Sequence, residues 1–204
     1  VFGVDYPYGK LDLVNDPVGP GFYGQSPSSL IYLGNGVFLS AGTAGAMLDS
    51  GTISKFNREV VPHEVGHQWW GSLIPNHNNG NYWFVESLAE YSSGLYVEAA
   101  AGPKAYQEKV AEWRRRVLVS DLQTSVQDAS VTWAGNDTRT RGSVAGYTAA
   151  VYNKGPYAFH IMRMTWGLDK FKTLLKSMTQ DLKNRAIVTR DLREVSALSV
   201  RDSR

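Results

Sequence analysis

Two periodicities divide the chain. Up to residue 51 the apolar positions fall in short alternating runs among Gly, Pro and Tyr, whereas from residue 52 they recur every three or four positions. Alternation marks a strand with one buried face, and the longer spacing marks a helix with one apolar face. The pattern predicts an α+β chain in one domain over 1–204, with a small N-terminal β lobe over 1–51 and a larger helical lobe over 52–204. In the first lobe, 29–33 and 37–40 are apolar β-formers flanking Gly34, Asn35 and Gly36, turn chemistry that predicts an antiparallel hairpin. In the second, a helix is expected over 54–70, closed by Gly71 and followed by Pro75, with Pro62 inside it removing a backbone donor. Further helices are expected over 82–101, stopped by Gly102 and Pro103, and over 103–119, where Tyr106, Val110, Trp113 and Val117 share a face. The stretch 120–146 is polar and irregular, and helical spacing returns over 147–166 and 168–182.

Composition narrows the class. A length of 204 residues suits one domain with a real core, and 43% hydrophobic with 20% charged residues is ordinary globular usage, against disorder or a fibre. With 21 Lys and Arg against 19 Asp and Glu, the net charge of +2 is too slight to argue for nucleic acid or an anionic membrane. Arg114, Arg115 and Arg116 point in different directions on a helix and read as solvated surface. The absence of cysteine removes disulfides, thiolate nucleophiles and cysteine zinc sites. No apolar run approaches the roughly eighteen residues of a spanning helix. The chain opens on Val1 and closes on Asp202, Ser203 and Arg204, and it is expected to be a fragment of a longer protein with flanking domains.

The candidate chemistry lies in the first long helix. His63, Glu64, Val65, Gly66 and His67 place two imidazoles one turn apart on one helix face, where both can bind a single ion. Glu64 points to the flank of that face, suited to act as general base on a metal-activated water. A catalytic zinc takes three protein ligands and keeps one open position. Glu86, on the next expected helix, supplies the third donor once the chain has reversed after Gly71. Glu90 follows one turn later and is placed to accept a hydrogen bond from the far nitrogen of a ligating imidazole. One Zn2+ ion is therefore expected on His63, His67 and Glu86. His77 and His160 stand alone and read as surface or packing residues.

The segments HEVGHQWWG and NYWFVESLAEY resemble the gluzincin metallopeptidases of the aminopeptidase N and leukotriene hydrolase family. YPYGKLDLV and SSLIYL are similar to the first strands of that family's catalytic domain, and YNKGPYAFHIMRM is similar to its tyrosine segment. The resemblance implies that His63, His67 and Glu86 hold the metal, that Glu64 is the base, and that Tyr152 donates to the oxyanion. It also implies a thermolysin-like zincin catalytic domain with its cleft between the two lobes. The sequence departs from the family at the Gly-x-Met-Glu-Asn segment, whose glutamate grips the substrate's free amine. Here the aligned stretch is Phe22, Tyr23, Gly24, Gln25, Ser26, followed by Pro27, so Gln25 replaces that carboxylate. The expected activity is zinc-dependent hydrolysis of peptide or protein substrates, aminopeptidase-like apart from Gln25. The rival expectation is a peptide-binding or scaffold module that keeps a structural zinc, against which the retention of Glu64 and Tyr152 argues.

Overall fold

The computed structural model describes residues 2–17, 24–38, 50–77, 81–124 and 144–201. It has a three-stranded sheet near the N-terminus and is otherwise mainly helical. Strands β1 (Asp12–Asp16), β2 (Gly24–Gln25) and β3 (Leu30–Gly34) lie in the order β1-β3-β2. β1 runs parallel to β3, from Asp12 opposite Leu30 to Asp16 opposite Gly34, and β2 runs antiparallel to β3, with Gly24 opposite Leu33.

The expected hairpin does not form. Asn35–Phe38 turns into a short 3-10 helix instead, and Ser40 lies outside the described residues. The reason is non-local: both edges of β3 are already hydrogen-bonded, to β1 on one side and β2 on the other, which leaves no edge for a following strand. The five-residue ladder is also parallel, where an antiparallel pair was expected.

Helix α1 (Ser50–Gly66) passes through Pro62, and α2 (Tyr82–Thr124) is a long rod broken at Gly102, whose φ of 87° and ψ of 172° are not helical. Only glycine takes that conformation cheaply, and Pro103 then starts the next segment with its φ already set. α1 stops four residues short of the expected end at Trp70. Gln68 and Trp69 bond to carbonyls three residues back, and Gly71 at φ 122° reverses the chain. The rest is α3 (Val144–Ala149), a π-helical turn (Ala150–Lys154), α4 (Gly155–Trp166), α5 (Leu168–Asp181) and α6 (Thr189–Arg201). α6 was not expected from the sequence. Of the stretch read as irregular over 120–146, residues 120–124 continue α2, 144–146 open α3, and 125–143 lie outside the described residues.

One apolar cluster holds the helices together. α2 contributes Phe84, Leu88 and Tyr91 before its break and Tyr106, Val110 and Trp113 after it; α5 adds Phe171, Leu174, Leu175 and Met178. Each such side chain contributes about 1.5–3 kcal/mol when fully buried. The lone His160 is part of this packing, with Nδ1 2.9 Å from the Tyr106 hydroxyl. Arg114, Arg115 and Arg116 are exposed, the last 2.6 Å from Glu112. The start of α2 is pinned from afar, because Asn81 accepts from the Thr189 backbone at 2.8 Å and the Trp83 indole donates to Thr189 at 3.2 Å. No described helix is long and apolar enough to cross a membrane.

Candidate metal centre

Gly66 brings α1 and α2 together: a Cβ there would stand 3.1 Å from the Cα of Ala89, three residues beyond Glu86. At this crossing His63 Nε2 lies 3.2 Å from Glu86 Oε2, His67 Nε2 lies 3.4 Å from the same oxygen, and the two Nε2 atoms are 3.1 Å apart. His67 sits just past the end of α1, yet its amide still bonds the His63 carbonyl at 3.2 Å, so the one-turn offset between the rings is kept.

The far nitrogens decide which way these lone pairs face. His67 Nδ1 is 3.0 Å from the Trp70 carbonyl, which can only accept, so Nδ1 carries the hydrogen and Nε2 offers its lone pair. His63 Nδ1 is 3.2 Å from Glu90 Oε2, again an acceptor. Two imidazole nitrogens and a carboxylate oxygen thus converge within hydrogen-bond distance of one another, an arrangement that a shared proton or a metal ion between them would satisfy. A zinc ion about 2.0–2.2 Å from tetrahedrally placed N and O ligands would separate them by about 3.3–3.6 Å. The observed 3.1–3.4 Å is close to that, and among the described residues these three form a group able to hold a metal.

The electrostatics point the same way. Burial opposes the His63 imidazolium, but Glu86 and Glu90 outweigh it and push its pKa up to about 10, a measure of how strongly the site draws positive charge. Burial acts against the Glu86 carboxylate too, yet the two imidazoles hold it well below the usual carboxylate range. Glu90 is likewise opposed by burial and held down to about 2, chiefly by Lys109 and then by His63.

Glu64 is buried at the rim of the same space, and its carboxylate rests against the backbone of β2. A Cβ on Gly24 would come within 2.4 Å of it, so a larger residue there would displace the Glu64 carboxylate from this position. Ser26 donates to the Glu64 carbonyl at 2.7 Å, and Gln68 donates to Ser26 at 2.8 Å while accepting from the Ser29 amide at 2.8 Å. These bonds fasten the sheet edge to α1.

Tyr152 arrives by way of the π-helical turn, whose extra residue per turn swings its side chain relative to the face of α4. Its ring stacks on His63 with centroids 5.7 Å apart. Side chains hold the turn in place: Ser87 donates to the Val151 carbonyl at 2.7 Å, and Asn153 of the turn donates to the Thr148 carbonyl of α3 at 3.0 Å. Gly155 allows this packing, because a Cβ there would stand 1.8 Å from Ser87 Oγ.

The structure gathers His63, His67, Glu64, Glu86, Tyr152 and Gln25 around one cavity of about 480 Å³. Gln25 is exposed on β2 at its rim, and Glu90 stands behind His63. Two side chains around the site, Ser87 and Lys109, escaped the sequence reading, and Trp113 was expected only as part of an apolar helix face. Trp113 and Lys109 both donate to Glu90 Oε1, at 3.1 Å and 2.8 Å. The available signal for Lys109 was a charged residue between Tyr106, Val110 and Trp113 on a stripe otherwise apolar.

Comparison with known proteins identifies a family and a fold. The family model described as the Peptidase family M1 domain matches residues 1–201. Aminopeptidase B of Mus musculus is 24% identical over 142 residues, covering 67% of this chain and 21% of that protein. The M1 zinc metallopeptidase of Deinococcus radiodurans superposes with a TM-score of 0.69 at 20% identity, over 98% of this chain and 38% of its own. Yeast LTA4 hydrolase superposes with a TM-score of 0.78 at 14% identity, over 99% of this chain and 30% of its own. The chain therefore spans a fifth to two fifths of the length of these relatives, and the two solved structures share its fold.

Proposed function

The chain belongs to peptidase family M1, and from that premise we propose that it forms the zinc-dependent core of a metallopeptidase that hydrolyses peptide bonds with an activated water. The observation that carries this reading is the convergence of three electron-pair donors, His63, His67 and Glu86, in a cavity that also holds the carboxylate of Glu64. Relatives named as aminopeptidases and as leukotriene A-4 hydrolase support the same class of chemistry.

His63, His67 and Glu86 would hold one zinc ion, whose Lewis acidity lowers the pKa of water to about 7 in favourable sites. Glu64 takes one proton from the attacking water and hands it to the amine nitrogen as the C–N bond breaks, while the water oxygen stays on the new carboxyl group. Burial raises the Glu64 pKa, with His63 and His67 acting against it, and a raised pKa makes the carboxylate a better proton acceptor. Burial and the negative charge of Glu86 raise the Tyr152 phenol, so it stays protonated and can donate to the carbonyl oxygen as negative charge builds there.

We read the architecture as thermolysin-like, with β2 at the cleft rim offering an edge to an extended peptide. Gln25, on that strand, stands where the resemblance puts an amine-gripping glutamate. A neutral amide pairs with an ammonium group less strongly than a carboxylate does. The proposed enzyme is thus aminopeptidase-like in machinery with a weakened hold on a free amino terminus, and longer relatives point to flanking domains that complete its substrate site.

Glu64→Gln tests the reading. Zinc content should stay near one per chain while turnover of a peptide mixture falls by about 10²–10⁴-fold, the usual contribution of a general base. Equal cleavage by both proteins would remove Glu64 from the reaction.

A further inference from the structure

The two histidines at the centre are oriented in different ways. His67 is held by the carbonyl of Trp70, part of the backbone and fixed by the turn that carries it. His63 is held by the carboxylate of Glu90, the end of a side chain with three rotatable bonds. A ligand oriented by a side chain is only as well placed as that side chain, so the anchoring of Glu90 matters.

That anchor is Lys109. Its side chain is 4% exposed, and its ammonium is 2.8 Å from Glu90 Oε1 and 2.7 Å from Glu59 Oε2 and lies over the Trp113 ring at 5.3 Å. With Oε1 taken by Lys109 and the Trp113 indole, Glu90 is left with Oε2 turned toward His63. Glu59 lies one turn before His63 on α1, and Glu90 one turn after Glu86 on α2. Lys109 therefore bridges the two ligand-bearing helices one layer behind the ligands, with its positive charge between the back pair of carboxylates.

We propose that Lys109 is a positioning residue for the metal site, fixing Glu90 so that the His63 imidazole presents Nε2 to the ion. This rests on the reading that His63, His67 and Glu86 hold zinc. Partners that orient metal-ligating histidines typically change metal affinity by about 10–100-fold when removed, and Lys109 acts one bond further out, through such a partner.

The test measures zinc affinity of the purified chain by chelator competition, with the fold of each variant checked by circular dichroism. Lys109→Met should weaken zinc binding about tenfold or more while the spectrum stays native. Glu90→Gln should weaken it comparably, and the double variant Lys109→Met with Glu90→Gln should be no weaker than Glu90→Gln alone, because one acts through the other. If the orphaned carboxylates unfold Lys109→Met, the pair Glu59→Gln with Lys109→Met removes one of them and carries the same measurement. Zinc affinity within twofold of wild type in a folded variant, or full additivity with Glu90→Gln, overturns the proposal. Failure of both Lys109 variants to fold also overturns it, by assigning Lys109 to the fold. A wild-type chain that takes up no zinc sinks the metal reading and this inference together, whereas normal uptake by both wild type and Lys109→Met sinks only this one.

Discussion

Replacing Gly155 by alanine sets a local gain against a tertiary clash. Gly155 has φ −61° and ψ −57°, ordinary helical values, so alanine would be favoured by about 0.5–1 kcal/mol on backbone grounds alone. Its Cβ, however, would stand 1.8 Å from Ser87 Oγ and 2.5 Å from Ser87 Cβ, where non-bonded carbons rest about 3.5–4.0 Å apart. Ser87 is buried and its hydroxyl is committed to Val151, so it cannot swing clear without losing that bond. Relief needs α2 and the π-turn with α4 to part by about 1 Å or more, a separation set by the same contact distances. Overpacking costs about 1–3 kcal/mol, and a contact as short as 1.8 Å belongs to the upper part of that range, about 2–3 kcal/mol, which exceeds the helical gain and leaves a net loss of about 1–2 kcal/mol. For a chain of this size the melting temperature should fall by about 2–8 °C. Turnover should fall further, because Glu86 adjoins Ser87 and Tyr152 lies on the turn that would move. A misplacement of about 1 Å can cost about 100-fold in rate. Thermal unfolding and peptide hydrolysis on Gly155→Ala measure both effects, and adding Ser87→Gly should restore part of each by removing the atoms in the way. A Gly155→Ala protein as stable and as active as wild type would refute the reasoning, since it would mean that the close contact does not exist.

Tyr152→Phe keeps the ring over His63 but removes the hydroxyl, so kcat should fall by about 10²–10³-fold with zinc content unchanged by metal analysis. Gln25→Glu should raise the kcat/KM preference for a free over an acetylated amino terminus by about tenfold, the margin of one charge-assisted hydrogen bond, measured on one peptide in both forms. Arg163 donates to both oxygens of Glu98 at 2.7 Å and, as the largest cause, lowers its pKa below the ordinary 4.5. A depressed carboxylate stabilises the fold above its unfolded pKa and loses that contribution as pH falls through its folded one. Glu98→Gln should therefore unfold at lower urea than wild type at pH 7, and the gap should narrow as the pH is taken below the carboxylate range; a constant gap would exclude the ion pair as its source.

What the sequence determined about this protein is what local geometry sets. The helical repeat alone faces His63 and His67 the same way, and the same repeat puts Glu90 one turn beyond Glu86. The break at Gly102 and Pro103 was legible because backbone φ at those residue types is restricted wherever they occur. The tertiary structure decided what depends on partners distant in sequence. Whether Val37 and Phe38 opened a strand depended on β1 and β2 already occupying β3, which no turn motif can encode. The end of α1 depended on a reversal at Gly71 that ties the chain to Ile74. Lys109 reads in sequence as a charge misplaced on an apolar stripe, and its use emerges only when Glu59 and Glu90 close around it from two helices. Helix period and φ preference act between near neighbours and can be read along the chain, whereas hydrogen-bond saturation and the pairing of buried charges are settled by which groups meet when it folds.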